Sequence, residues 1–203
     1  MAGTCPAITE DAETPGANIM KRALLTLCLI FGILPAFAGD EALAPRDMVV
    51  LTVSGMIGKT NRGPLDPRHD SLLALQKVDF PKAFAFDRPT LLGLEQGTVT
   101  AQPPEFDAPA TFKGPLLREV LGFIGAAKVK VTFMAVDGYS GWLDPEDIDT
   151  SDWILALEAN GVPLGLGQQG PLWLINTRAE GEKPGEDGRG RWVYAVYYMR
   201  VGE

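Results

Sequence analysis

The sequence is poor in the residues that hold metals and redox cofactors. It has two cysteines, Cys5 and Cys28, and one histidine, His69, in 203 residues. Structural zinc, haem and iron–sulfur sites draw on more Cys and His side chains than this. A Ser–His–Asp hydrolase would have to use His69, and no serine lies in a nucleophile-elbow pattern. His69 itself lies in a turn-rich stretch, which favours a surface position over metal ligation.

Clusters of positive charge are also missing. The formal net charge is −8, and the clustered Lys and Arg that neutralise phosphates are absent, so a nucleic-acid partner is excluded. The glycine-rich loop at residues 181–191 does not end in the Gly-Lys-Ser/Thr of a P-loop. A paired-carboxylate hydrolase stays open, since Asp137, Asp144, Glu146 and Asp147 are close in sequence. The last three are, however, typical of the start of a helix.

The N-terminal region predicts export. Two basic residues follow Met20, an apolar run covers residues 23–34, and a small-x-small cleavage site ends at Ala38. The apolar run is shorter than the roughly 20 residues that a membrane-spanning helix needs. We therefore expect residues 20–38 to be a signal peptide and residues 1–19 a disordered upstream extension. Export to the periplasm would remove both cysteines with the precursor.

The remaining chain predicts a linker over residues 39–47 and one domain over residues 48–203. A domain of this size buries about 70% of its unfolded surface, so it needs no disulfides. Period-two alternation, β-branched runs and turn signals predict a chain made mostly of strands. We expect strands at residues 48–55, 97–101, 128–136, 153–158, 171–177 and 191–201.

Helical signals are fewer. An apolar stripe predicts a helix over residues 114–124, with Pro115 in its first turn and Gly125 at its end. Residues 59–89 are expected to be irregular, apart from a brief helix at residues 72–75. Asp144 followed by Pro145 predicts a helical turn, and the Asn-Gly pair at residues 160–161 predicts a tight hairpin. Residues 179–190 read as a solvated loop. The predicted fold class is α+β.

Three short runs occur in a characteristic order. They are Lys-Gly-Pro-Leu-Leu at residues 113–117, Asp-Gly-Tyr-Ser at residues 137–140 and Gly-Pro-Leu-Trp at residues 170–173. In this order and spacing, the chain from about residue 49 to residue 201 resembles the small stand-alone members of the sulfite-oxidase-type molybdopterin-binding oxidoreductase family. The resemblance implies a sulfite-oxidase-like fold, with a mixed β-sheet core and few short helices.

The resemblance also implies a pterin pocket. A flat, hydrogen-bonding heterocycle needs aromatic plates and a few fixed polar groups in a concave site. Trp153 and Trp192 lie in alternating patterns that favour the core, whereas Tyr139 and Trp173 fit a core or a pocket equally well. The pocket residues that the resemblance implies are Asp137, Tyr139, Ser140, Trp142, Gln169, Gly170, Trp173, Asn176 and Arg178.

The chain lacks the metal-ligating cysteine of the family. Redox members hold molybdenum through a cysteine thiolate, a soft ligand, but the corresponding residues 96–110 contain no cysteine. We therefore expect no molybdenum and hypothesise an exported, non-redox sensor. It would bind a pterin or molybdopterin-like ligand and act on the periplasmic part of a membrane signalling protein of the cyclic-di-GMP type. The alternatives are a molybdopterin-dependent oxidoreductase with another ligand donor, and a ligand-free interaction module whose pocket is collapsed.

Overall fold

The computed structural model describes residues 43–104, 106–176 and 191–203. The chain divides into two units, Met1–Ala38 and Gly39–Glu203, and the described residues all belong to the second. The predicted upstream extension, the signal peptide and the loop at residues 179–190 lie outside the described residues.

The described residues form short strands and a few short helices, an α+β architecture as predicted. The strands are β1 (Val49–Gly55), β2 (Ala83–Asp87), β3 (Gln96–Ala101), β4 (Ala110–Pro115), β5 (Val131–Ala135), β6 (Ser140–Leu143), β7 (Ile154–Ala156), β8 (Glu158–Ala159), β9 (Val162–Pro163), β10 (Trp173–Ile175) and β11 (Val196–Val201). The helices are α1 (Ser71–Leu75), α2 (Arg88–Leu92), α3 (Leu117–Phe123) and α4 (Pro145–Thr150).

A five-stranded sheet in the order β2-β1-β11-β5-β6 organises the molecule. β1 and β11 pair in parallel, and the other neighbours are antiparallel. Successive side chains of a strand point to opposite faces, and Val131, Phe133 and Ala135 of β5 are all buried on one of them. Together with Phe84, Phe86 and residues of α3, they form the main core cluster. The predicted alternation over residues 128–136 is confirmed.

A second layer surrounds a smaller aromatic core. It contains the sheet β3-β4-β8-β9 and the pair β7-β10, and its buried cluster includes Phe112, Ile154 and Trp173. Gly114 lies where β4 passes so close to the backbone at Leu155 that an added Cβ would collide with the Leu155 carbonyl oxygen. A side chain at residue 114 would therefore push the two strands apart.

Several turn predictions are confirmed. Gly125, with φ of +62°, follows the end of α3. Asn160 and Gly161, with φ of 51° and 75°, close the hairpin of β8 and β9, as the primed hairpin turns require. At the start of α4, the Asp147 carboxylate accepts the Asp144 backbone N–H at 2.9 Å, which completes a capping box.

Two predictions were wrong. Residues 59–89 contain a strand, because Ala83 to Asp87 are all buried and pair with β1. The predicted helix at residues 114–124 begins only at Leu117, since Gly114 and Pro115 pair with Gly97 and Gln96 of β3. The brief helix at residues 72–75 is present as α1. Within the described ranges, no helix is both long and apolar enough to cross a membrane.

Candidate functional site

An aromatic cleft opens at the end of β5, where the chain turns into β6. Its volume is about 240 Å³. The residues that line it are Ala135, Asp137, Tyr139, Trp192, Val193 and Tyr194. We call it the aromatic cleft.

The first wall of the aromatic cleft is the turn between β5 and β6. Gly138, with φ of +88°, allows the chain to reverse, and its N–H donates to the Ala135 carbonyl at 2.9 Å. The Ala135 N–H donates to the Tyr139 carbonyl at 2.8 Å. The Asp137 carboxylate accepts the Tyr139 N–H at 2.9 Å. These bonds fix the Asp137 carboxylate relative to the backbone of Tyr139.

The second wall is the segment that leads into β11. Val193 and Leu174 exchange backbone hydrogen bonds of 2.8 and 3.1 Å. Ala195, with φ of +54°, donates its N–H to the Gln169 carbonyl at 2.8 Å and accepts the Val136 N–H at 3.0 Å. The two walls are therefore joined directly through the backbone at Ala195.

The Trp192 ring has a fixed orientation. Its indole N–H donates to the Asn176 side-chain oxygen at 2.8 Å, and Asn176 is only 6% exposed. A buried amide that accepts this bond holds the ring in place. Asn176 thus acts on the aromatic cleft through Trp192.

Two tyrosine rings stand at the mouth of the cleft. Tyr139 and Tyr194 are 42% and 43% exposed, and an Arg191 guanidinium nitrogen lies 3.4 Å from the Tyr139 hydroxyl oxygen. These two rings provide flat faces on which a ring system can stack.

Trp173 lies deeper than the cleft. It is 1% exposed and packs against Phe106, Phe112 and Tyr194, with ring centroids 5.9, 5.1 and 6.0 Å away. Among the described residues, its buried indole N–H finds no hydrogen-bond partner. A buried donor without a partner loses about 1–3 kcal/mol of solvation, so an acceptor that reached it would be favoured.

The structure brings some of the predicted pocket residues together and separates others. Asp137 and Tyr139 line the aromatic cleft, Asn176 supports it through a side chain, and Gln169 supports it through a carbonyl. Gly170 is buried where an added Cβ would lie 2.6 Å from the Leu164 carbonyl, so it serves close packing of the backbone. Arg178 lies outside the described residues.

Ser140 and Trp142 face away from the cleft. They pair with Met134 and Thr132 of β5, and directly paired residues share a face of the sheet. Ala135 of the cleft lies on the other face. The alternation of β6 therefore places both side chains on the side opposite the aromatic cleft, and the structure does not bring them to this site.

Four of the lining residues were not predicted as pocket residues, and two of them, Trp192 and Tyr194, are aromatic. Trp192 was expected in the core, but it is half-buried and lines the cleft, whereas Trp153 is 4% exposed and belongs to the core as expected. Tyr194 had no assigned role in the pocket. Trp192 and Tyr194 flank the buried Val193, so period two places them on one side, and this is the signal that could have found them.

The donor set around the cleft does not fit molybdenum. In the described part of the chain, no group of three His, Cys, Asp or Glu side chains could hold a metal ion, and residues 96–110 offer no thiolate. The same residues do fit a flat heterocycle. They supply exposed aromatic faces, one carboxylate and, behind Tyr194, the buried Trp173 N–H, for which the described residues offer no acceptor.

Comparisons with known proteins give a distant structural likeness. No family model and no curated protein matches the chain. Among solved structures, it is similar to the sulfane dehydrogenase SoxCD from Paracoccus pantotrophus, with 18% sequence identity and a TM-score of 0.49. That match covers 74% of this chain and 37% of the SoxCD chain, well under half of the latter. A likeness of this degree assigns neither a family nor an activity to the chain.

Proposed function

We propose that this protein binds a pterin in the aromatic cleft and acts as an exported, non-redox sensor. The observation that carries the proposal is that the Asp137 carboxylate lines the same cleft as the rings of Tyr139, Trp192 and Tyr194. A pterin carries an amino group beside a ring N–H, and a carboxylate with lone pairs on two oxygens can accept both donors. The aromatic rings would stack on its faces.

The size of the cleft favours a simple pterin over a complete molybdopterin. Pockets for drug-sized ligands typically measure roughly 300–1,000 Å³, and this cleft of about 240 Å³ lies below that range. A bicyclic ring system is smaller than such ligands. A molybdopterin would also need several cations for its phosphate. None of the described lining residues is a cation, and Arg191, at the mouth, lies 3.4 Å from the Tyr139 hydroxyl.

Sensing in the periplasm is the biological part of the proposal. It rests on the export signal in residues 20–38 and on the missing thiolate, because a protein that binds a redox-type ligand without the metal can still respond to its presence. The bound form would then act on the periplasmic part of a membrane signalling protein of the cyclic-di-GMP type. The proposal includes the sulfite-oxidase-like fold that the sequence resemblance implies.

Calorimetry with a pterin and its tetrahydro form tests the binding step. We expect saturable binding that weakens about tenfold or more in Asp137→Asn, because a charge-assisted hydrogen bond contributes about 1.5–3 kcal/mol. Asp107→Asn, which changes an exposed carboxylate elsewhere, is the matched control and should bind normally. Saturable binding that is identical in Asp137→Asn would place the ligand elsewhere, and no binding at all would contradict the proposal.

Tryptophan fluorescence locates the ligand. Trp192 lines the cleft and Trp173 packs behind Tyr194, whereas Trp142 and Trp153 lie elsewhere. We expect quenching by the pterin in the wild type and less in Trp192→Phe, which keeps only the deeper Trp173 near the ligand, although calorimetry still detects binding to that variant. Equal quenching in both proteins would argue against the aromatic cleft.

The signalling step needs a cellular test. In cells that contain the protein and its membrane partner, we expect pterin-dependent changes in cyclic-di-GMP that the Asp137→Asn protein fails to support. Fractionation would place the processed protein in the periplasm. If Asp137→Asn signals like the wild type, the cleft does not report to the partner.

The two alternative functions make different predictions. A molybdopterin-dependent oxidoreductase requires stoichiometric molybdenum in protein purified from its own cells, and finding it would overturn the non-redox proposal. A ligand-free interaction module requires a pocket filled by its own aromatics. The open cleft and the exposed Tyr139 ring favour the ligand-binding function over that module.

A further inference from the structure

A second concavity lies on the face of the five-stranded sheet opposite the main core. Its volume is about 320 Å³. Its lining residues are Gln76, Lys77, Val78, Lys130, Thr132, Met134, Tyr198, Arg200, Gly202 and Glu203. We call it the cationic groove, and it contains none of the residues of the aromatic cleft.

The sheet register builds the floor of the cationic groove. Thr132 lies opposite Arg200, and Met134 lies opposite Tyr198, across the pairing of β5 with β11. Directly opposite residues share a face, so these four side chains point the same way. The Tyr198 and Ser54 hydroxyls share a hydrogen bond of 2.5 Å below the floor.

The segment after α1 forms one wall. The Gln76 side chain donates to the Val136 carbonyl at 2.8 Å and accepts the Tyr197 O–H at 2.7 Å. Burial raises the pKa of Tyr197 to about 12, so its hydroxyl stays protonated and keeps donating. Gln76 therefore holds this wall against the sheet, and Lys77 beside it, with φ of 60°, is exposed at the rim.

The opposite wall is formed around Lys130. Its carbonyl accepts the Gly202 N–H at 2.8 Å, and its ammonium lies 5.4 Å from the centre of the Trp142 ring. A cation over an aromatic face is attracted to it. Trp142 thus positions Lys130 beside the groove.

Among the described residues, the cations of the groove have no carboxylate partner. Within the described ranges, Lys77, Lys130 and Arg200 form no ion pair with a carboxylate, and Arg200 makes only a 3.4 Å contact to the Asp79 carbonyl. By contrast, Arg62 and Arg118 pair with Asp70 and Asp152 at 2.5 and 2.7 Å. The groove gathers three cations against the Glu203 carboxylate in a chain whose net charge is −8.

We propose that the cationic groove binds a small organic anion, with its carboxylate or phosphate group between Lys130 and Arg200. The floor has the mixed character of a small-molecule site, since Met134 and Val78 offer apolar surface and Thr132 offers a hydroxyl. The guanidinium of Arg200 can donate two parallel hydrogen bonds to a carboxylate or phosphate. The volume is at the lower end of the range for ligand pockets, roughly 300–1,000 Å³, so the anion is compact.

Three probes with one apolar body test the proposal and separate the two possible anionic groups. Phenyl phosphate, benzoate and benzyl alcohol are titrated into the purified protein, and backbone amide NMR shifts are followed. We expect saturable shifts at Thr132, Arg200 and Gly202 with one or both anions and none with benzyl alcohol. Tighter binding of phenyl phosphate assigns a phosphate-bearing ligand, and tighter binding of benzoate assigns a carboxylate.

Variants that remove single charges test whether the anion binds in the cationic groove. Arg200→Gln and Lys130→Gln should each weaken anion binding by about tenfold, whereas Lys82→Gln, an exposed lysine outside the groove, should not. Glu203→Gln removes the carboxylate in the groove and should strengthen binding by about two- to fivefold. Because these side chains are at the surface, their variants are expected to fold.

Several outcomes would overturn the proposal. They are an absence of saturable shifts, equal binding of benzyl alcohol, shifts confined to another surface, and unchanged affinity in both Arg200→Gln and Lys130→Gln. The groove and the aromatic cleft share no lining residue. Asp137→Asn should therefore leave anion binding unchanged, which keeps this test independent of the pterin proposal.

Discussion

The two faces of the five-stranded sheet are built from the same strands but differ in burial and in polarity. On one face, residues such as Leu51, Phe84 and Phe133 are fully buried and pack into the main core. On the other, Ser54 and Thr132 alternate with them and meet polar groups instead. The first face loses contact with water, whereas the second is only partly covered.

The second face is stabilised by specific hydrogen bonds. Leu73, Val78 and Phe80 cover Tyr198 with a small apolar cluster, and the Ser54 and Tyr198 hydroxyls satisfy each other beneath it. Beyond this cover the face opens into the cationic groove. Apolar burial therefore stabilises the first face, whereas the stability of the second face depends on hydrogen bonds between its polar side chains.

Truncation of Phe133 gives the largest expected effect. Phe133→Ala removes a fully buried ring and should lower the free energy of unfolding by about 3–5 kcal/mol. Thr132→Ala, one residue earlier and on the opposite face, is the matched control and should lower it by about 1 kcal/mol or less. Urea unfolding followed by circular dichroism measures both. Similar losses of unfolding free energy in the two variants would mean that both faces contribute equally to stability, which would contradict the difference between them.

Loss of the hydrogen bond between the Ser54 and Tyr198 hydroxyls should have an intermediate effect on stability. Tyr198→Phe leaves the buried Ser54 hydroxyl without its partner, and Ser54→Ala does the converse, so each should lower the free energy of unfolding by about 1–3 kcal/mol. In the double variant both polar groups are gone.

A double-mutant cycle then isolates the pair. We expect the double variant to be less destabilised than the sum of the single variants, because no buried hydroxyl is left unpaired. Tyr194→Phe, at an exposed ring, controls for loss of a tyrosine hydroxyl in general. Strict additivity would show that the 2.5 Å hydrogen bond is not what stabilises this face.

Sequence patterns predicted the fold best where one face of a strand is buried. The alternation around Phe133 identified β5, but β2 was missed, because Ala83 to Asp87 are buried throughout and two prolines flank them. Period two carries no signal when both faces are covered. Gly114 and Pro115 read as a helix start, and only their pairing with β3, which is remote in sequence, makes them part of a strand.

The candidate site was predictable only in its local part. Asp137 and Tyr139 belong to one turn, so a sequence run could identify them together. Trp192 and Tyr194 reach the same cleft because β11 pairs with β5, a contact that no local pattern encodes. Trp142 lies on the face opposite the aromatic cleft, because side chains alternate strictly along β6 and a shift of one residue changes the face they occupy.

The smallest expected effect concerns the acid dependence of stability at the edge of the sheet. Asp87 ends β2 and is 2% exposed. Burial disfavours its charged form, but hydrogen bonds from Thr90 and from the Arg46 and Asp47 N–H groups outweigh it and lower the pKa of the Asp87 carboxyl. Because the folded-state pKa is below the unfolded one, this stability is present above about pH 4 and is lost as the pH falls through the folded-state pKa.

Asp87→Asn should therefore reduce the loss of unfolding free energy that the wild type shows as the pH falls below about 4. Asn keeps an oxygen that can cap α2, so the loss at neutral pH should be about 1 kcal/mol. Asp107→Asn, at an exposed carboxylate, should leave the curve unchanged, and Phe133→Ala should lower it by a similar amount at every pH, since an apolar contact binds no proton. Unfolding free energies measured from pH 2 to pH 7 give all three curves. An unaltered acid limb in Asp87→Asn would mean that the charge of this carboxylate does not stabilise the sheet edge, and that the N–H groups around it need only a neutral acceptor.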